Sequence, residues 1–231
     1  MLFDKLKHLE KLRRKALKDP QLEPSLAPFF AAPLPSHDSP LRNLDFVALD
    51  FETTGLDFAH DKVLSIGGVK MHGLQIDFGS CFHHFLVEPE CCINPQAALI
   101  NQITPEALAQ GMSLNEARDF LIDTLHGHII ICHAAVIEHS FLFNMLGLKS
   151  SFPLPLIFLD TMKIERSLIH RPQGKEDLRL ATIRQKRQLP PYVAHNALAD
   201  AVATAEVFLA QVKDVFGKDE PKLGPLFTRS C

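Results

Sequence analysis

Residues 46–56 read Phe46-Val47-Ala48-Leu49-Asp50-Phe51-Glu52-Thr53-Thr54-Gly55-Leu56, an apolar run that ends in two carboxylates two positions apart and then in a short polar turn. Side chains alternate along a strand with a period of two, so Asp50 and Glu52 project from the same face. Two adjacent acids repel each other unless a cation sits between them. The pair therefore reads as a hard-metal site whose oxygen ligands suit Mg2+ or Mn2+. Taken alone, an Asp-x-Glu pair is better read as a strand end with solvated acids, since the pattern occurs often by chance, and the rest of the chain has to discriminate.

Working outward, segments 44–51, 62–70 and 79–87 are three β-prone runs separated by glycine-containing turns, the pattern of a meander. Ser113 followed by Glu116 is a capping box that opens a helical run to His126, and Thr104-Pro105-Glu106 is an earlier cap with proline at the first helical position. An apolar strand at 128–132 follows. Helical periodicity then covers 136–148, 178–188 and the Ala-rich stretch 197–212. Three strands followed by alternating strand and helix predict an α/β fold around a mixed sheet.

With these elements assigned, the sequence resembles the DEDDh (DnaQ-like) exonucleases, the family of bacterial DNA polymerase III epsilon subunits and RNase T. Asp50 to Leu56 matches the family's first motif, an apolar strand followed by D-x-E-T-T-G. The segment His133-Ala-Ala-Val-Ile-Glu138 resembles the second motif, H-N-A-x-F-D, with glutamate where the family most commonly has aspartate. His195-Asn-Ala-Leu-Ala-Asp200-Ala201 fits the third, H-x-A-L-x-D-A. Ser65-Ile66-Gly67, Phe85-Leu86-Val87-Glu88-Pro89 and Asp160-Thr161 extend the likeness over residues 44–212.

The resemblance implies an RNase H-like, five-stranded mixed sheet flanked by helices, and a 3′ to 5′ exonuclease acting on single-stranded DNA or RNA ends, both sugars remaining open. It implies a catalytic centre of Asp50, Glu52, Glu138, His195 and Asp200. The four acids would hold two divalent cations, Mg2+ or Mn2+, with Asp50 bridging both, Glu52 and Asp200 completing one, and Glu138 attending the other. Two ions ~3.5 to 4 Å apart clamp the attacking and leaving oxygens of a displacement at phosphorus, and nucleoside 5′-monophosphates leave. His195 would be the general base, since an imidazole titrates near neutral pH. Thr53, Thr54, Gly55, Leu56 and His133 would serve the terminal nucleotide, Gly55 by allowing its close approach. Glu138 keeps the charge but adds one methylene, roughly 1.5 Å of reach. The alternative is therefore a catalytically weak or inactive nucleic-acid- or protein-binding module of the same fold.

Composition bounds the remainder. A chain of 231 residues, 46% apolar, holds one sizeable core plus an appendage. The division expected is a basic amphipathic helix at 1–19, a Pro-rich linker at 20–43, an exonuclease domain at 44–216 and a tail at 217–231. The helix suits docking to a protein partner, a nucleic acid or a membrane surface, and equally packing on its own domain. A net charge of -3 gives no bulk attraction to a polyanion. Lys163, Arg166, Arg171, Lys175, Arg179, Arg184, Lys186 and Arg187 either flank a strand-binding groove or form an ordinary solvated face. Five cysteines without a C-x-x-C pair predict reduced thiols in a cytoplasmic protein. No secretory or membrane-spanning run is expected, and the absence of phosphate-binding glycine motifs gives no sign of a nucleoside triphosphate or dinucleotide cofactor.

Overall fold

The computed structural model describes residues 4–20, 22–87, 103–148, 152–169 and 176–231. Cys91, Cys92, Glu88, Pro89, Arg171 and Lys175 lie outside the described residues.

Strand β1 (Asp45–Thr53) carries two apolar rows. Val47, Leu49 and Phe51 enter one buried cluster, Phe46 and Ala48 another, so helices cover both faces. Asp50 and Glu52 continue the Phe46–Ala48 row beyond its apolar part. β1 pairs antiparallel with β2 (Val63–His72), and β2 antiparallel with β3 (Gln75–Phe85). On its other edge β1 runs parallel to β4 (Ile129–Cys132), which runs parallel to β5 (Phe158–Asp160). The order β3-β2-β1-β4-β5 is the expected five-stranded mixed sheet.

The predicted caps form. Thr104 caps α2 (Pro105–Ala109), and α3 (Leu114–Leu125) opens on the reciprocal Ser113–Glu116 box. Leu121 and Leu125 of α3 and Phe141 and Leu142 of α4 (Val136–Met145) fill the cluster beneath Val47. The opposite face is covered by α5 (Thr161–Leu168), α7 (Ala197–Phe216) and α8 (Leu223–Ser230), while α6 (Leu180–Lys186) packs on the outer side of α7.

Both ends of the chain pack on the sheet domain. In α1 (Lys5–Ala16), Leu6 and Ala16 are buried, and the buried Arg13 guanidinium donates to the carbonyls of Phe30 at 2.8 Å and Ala31 at 3.1 Å. Of the two alternatives, the helix therefore packs on its own domain, with most of its lysines outward. The Pro-rich segment is more than a tether, because Leu26, Phe29 and Phe30 are anchored in the core. Within the tail at 217–231, Leu223 and Leu226 of α8 are fully buried. The N–H groups of Leu223 and Gly224 donate to the carbonyls of Ser39 and His37, which joins this helix to the Pro-rich segment. Among the described residues no helix is long and apolar enough to cross a membrane, and Cys81, Cys132 and Cys231 are free thiols.

Candidate active site

The C-terminal ends of the three parallel strands converge at one edge of the sheet, the end at which α/β folds place their ligands. β1 brings Asp50 and Glu52 there, and the first turn of α7 brings Asp200. One carboxylate oxygen from each lies within 4.8 Å of the others. This closeness depends on Gly67, the β2 partner of Asp50, because a Cβ there would overlap the Ala197 and Leu198 backbone at the start of α7.

Glu138 sits in the first turn of α4, only 2% exposed. Its oxygens are not within the 4.8 Å group, and Oε2 is buried without a hydrogen-bond partner. When ionised, the residue nevertheless acts on Asp50: burial first, then Glu138, Asp200 and Glu52, push the Asp50 carboxyl well above the ordinary range. Burial and then Asp200 push Glu52 up to about 7. Burial, and then repulsion from the like-charged Asp160, push Glu138 up to about 8, while hydrogen bonds from its own backbone N–H, the Phe51 backbone and the Cys132 thiol act the other way. Two buried acids, Glu52 and Glu138, beside the half-buried Asp50 and Asp200, with one orphaned Glu138 oxygen, fit a hard divalent cation, which would relieve both the repulsion and the lost hydration.

His195 precedes the α7 cap Asn196 and is exposed, in a left-handed conformation with φ of 63°. A left-handed non-glycine residue is uncommon and often marks a functional turn. It shares a cavity of about 130 Å³ with Glu52, Ser65, His83, Phe85 and Val193. Ser65 Oγ and His83 Nε2 are buried there without hydrogen-bond partners. Sequence reasoning gave neither a role, although Ser65 is the cross-strand partner of Glu52 and thus on its face.

The turn after β1 is held by its own side chains. Thr53 Oγ1 donates to the Gly55 carbonyl at 2.7 Å, and the buried Thr54 hydroxyl donates to Asp61 at 2.6 Å. Gly55 is needed for a reason other than ligand approach: a Cβ would lie 2.5 Å from the Asp61 carboxylate. Leu56 stands 66% exposed. Both ring nitrogens of His133 are engaged, with the Thr161 hydroxyl and the Leu178 carbonyl at 2.9 Å each. His133 therefore ties the α4 turn to its neighbours and has no ring nitrogen to offer a substrate. The same turn is held by the buried Asp160 carboxylate, which accepts the N–H groups of Ala134 and Ala135 at 3.2 Å each.

Asp200 accepts the Tyr192 phenol, which is pushed well above its ordinary value by burial and then by Asp200 itself. Of the described basic residues that could form a groove or a solvated face, four are paired within the fold. Arg179 pairs with Asp177, Arg184 with Glu206, Lys186 with Glu176, and Arg187 with Glu165 and Asp214.

A mixed five-stranded sheet with acids from its central strand and a following helix gathered at one edge defines an RNase H-like α/β protein with a carboxylate centre. The exonuclease model of the RNase T type matches residues 47–208, and the chain belongs to that family. It is 34% identical over 182 residues to a PolC-type DNA polymerase III of Thermotoga petrophila, an alignment covering 77% of this chain and 12% of that protein. It is 27% identical over 173 residues to the DNA polymerase III epsilon subunit of Escherichia coli, covering 71% of this chain and 70% of the subunit. The chain thus spans about an eighth of the PolC-type protein, 12% of its length. In fold it is similar to E. coli exonuclease I in complex with a dT13 oligonucleotide, with a TM-score of 0.64 at 19% identity, covering 74% of this chain and 41% of that one.

Proposed function

We propose that this chain is a 3′ to 5′ exonuclease that hydrolyses single-stranded DNA or RNA ends with the help of divalent cations. The observation that carries the reading is the meeting of Asp50, Glu52 and Asp200 oxygens within 4.8 Å, with the buried Glu138 close enough to shift the Asp50 carboxyl. Family membership supports nuclease chemistry; exonuclease I, which shares the fold, is bound to a dT13 oligonucleotide; and the 3′ polarity is what the motif resemblance implies.

When bound at these acids, Mg2+ or Mn2+ supplies a more acidic water and neutralises charge at phosphorus. Asp50, Glu52 and Asp200 would hold it, with Glu138 adjoining. His195, exposed at the rim of the cavity beside Glu52, takes the proton of the attacking water. The bond from phosphorus to O3′ breaks, the shortened strand keeps a 3′ hydroxyl, and the terminal nucleotide leaves as its 5′-monophosphate. The exposed Leu56 offers an apolar surface to the terminal base, while the Thr53–Gly55 turn and the unpartnered Ser65 and His83 atoms offer polar contacts. Free thiols fit a cytoplasmic setting.

The position of Glu138 outside the three-acid group favours a second reading, a weak or inactive binding module. Mg2+- or Mn2+-dependent digestion of 3′- and 5′-end-labelled single-stranded DNA and RNA, with Asp50→Ala as control, separates the two. Stepwise 3′ shortening that the control lacks supports the exonuclease. Strand binding without cleavage by the wild type supports the module.

A further inference from the structure

The chain has one tyrosine and no tryptophan, and that tyrosine lies at the acid cluster. Tyr192, on the loop between α6 and α7, donates its phenol to Asp200 Oδ1 at 2.7 Å, and Asp200 Oδ2 accepts the Asn196 backbone N–H at 3.1 Å. A carboxylate has about four lone-pair directions. With two of them taken, the others remain for a cation shared with Asp50 and Glu52.

The phenol is itself braced. Arg184 is 4% exposed, and its guanidinium carbon lies 5.0 Å from the Tyr192 ring centroid. Its N–H groups donate to the carbonyls of Ala203 at 3.0 Å and Pro190 at 2.9 Å, and it pairs with Glu206 at 2.6 Å. The Pro190 bond pins the loop two residues before the ring. A continuous chain of contacts, Glu206 to Arg184 to Tyr192 to Asp200, thus runs from the interior of α7 to the acids.

We infer that Tyr192, backed by Arg184, is a positioning residue that sets the divalent-cation affinity of the Asp50–Glu52–Asp200 cluster. The inference rests on the cation reading of that cluster. Without the phenol, Asp200 keeps the Asn196 bond but loses the donor on Oδ1, and repulsion from Asp50 and Glu52 turns it outward. Partners that orient metal-ligating carboxylates typically alter affinity by about 10- to 100-fold.

Because Tyr192 is the sole tyrosine, its emission reports directly on the site. Mn2+ is titrated into the full chain by calorimetry for wild type, Tyr192→Phe and Arg184→Lys, with tyrosine emission followed in the variants that retain the ring. Each is also melted in EDTA. The wild-type emission is expected to change at the same Mn2+ midpoint as the heat. Tyr192→Phe is expected to melt in EDTA close to wild type yet bind Mn2+ about 10-fold more weakly or worse, with turnover at saturating Mn2+ falling less than the affinity. Arg184→Lys keeps the phenol, loses the planar brace, and is expected to weaken Mn2+ by a smaller factor; it carries the test if Tyr192→Phe does not fold. Wild-type Mn2+ affinity in the folded variants overturns the inference and leaves the cation reading standing, whereas no Mn2+ binding by wild type overturns both.

Discussion

Ser230 in α8 accepts the backbone N–H of Asp160 through its Oγ at 3.1 Å, in a buried hydrogen bond between residues 70 positions apart. Asp160 in turn holds the turn that begins α4 and carries Glu138 into place. The last helix therefore reaches the candidate active site through a single polar contact. Ser230→Ala leaves the Asp160 N–H buried without an acceptor, a loss of about 1 to 3 kcal/mol. Leu226→Ala empties a fully buried position, at about 2 to 5 kcal/mol. In a chain of this size each kcal/mol moves the melting temperature by about 2 to 4 °C, so both variants are expected to melt clearly lower. Shifts within about 0.5 kcal/mol, the usual range for surface positions, would mean that α8 is a detached appendage after all.

Gly67 gives a second test, because α7 rests on the sheet where Gly67 has no side chain. Gly67→Ala forces the Ala197–Leu198 backbone off β2, and overpacking of this kind costs about 1 to 3 kcal/mol. The same movement carries Asp200 away from Asp50. Thermal unfolding and Mn2+ titration are expected to fall together. A lower melting temperature with unchanged Mn2+ affinity would show that the acids do not depend on this approach.

Local rules account for what was legible in the sequence. Period-two alternation put Asp50 and Glu52 on one face, the Thr104 cap and the Ser113–Glu116 capping box started α2 and α3, and the third motif placed Asp200 in the first turn of a long helix. What escaped depends on pairing across the fold. Charge could be counted at Arg184 and Arg187, but their counter-charges at Glu206, Glu165 and Asp214 come from other helices. Tyr192 could be seen as the only tyrosine, whereas its bond to Asp200 needs the loop folded. Leu223 to Ser230 contains Gly224 and Pro225, poor helix formers, and is helical because the core accepts Leu223 and Leu226.

The acids predict a pH dependence of stability in EDTA. Glu52 at about 7 and Glu138 at about 8 both stand above the ordinary glutamate value of 4.5. A raised carboxylate favours the folded state while protonated, so its contribution is complete below about pH 4.5 and is lost as pH rises through 7 and 8. Buried histidines such as His83 and His133, lowered by burial, act in the opposite sense, but only below their ordinary value of 6.5. The acids dominate the interval from about pH 6.5 to about pH 8.5, with the buried Cys132 thiol adding in the same sense toward its alkaline end. The melting temperature in EDTA is expected to fall across it, and saturating Mg2+ to restore most of the loss at the alkaline end. A flat or rising profile would show that the acids are better solvated than their burial indicates.

Glu138→Gln separates the contribution of that residue from its neighbours. Below about pH 8 in EDTA, Glu138 carries a proton, and glutamine is close to an isostere of the protonated acid. Variant and wild type are therefore expected to melt alike near pH 6.5, and the variant to melt higher near pH 9, where wild type must bury another charge beside Asp50. Mg2+ reverses the order. Wild type gains stability from binding according to ligand concentration over Kd, whereas the variant has lost an anionic oxygen and gains less. Exonuclease turnover is expected to drop by at least about 10-fold. If Glu138→Gln keeps wild-type turnover while still losing the alkaline destabilisation, Glu138 is a buried acid that perturbs Asp50 without taking part in cation binding, and Asp50, Glu52 and Asp200 carry the chemistry alone.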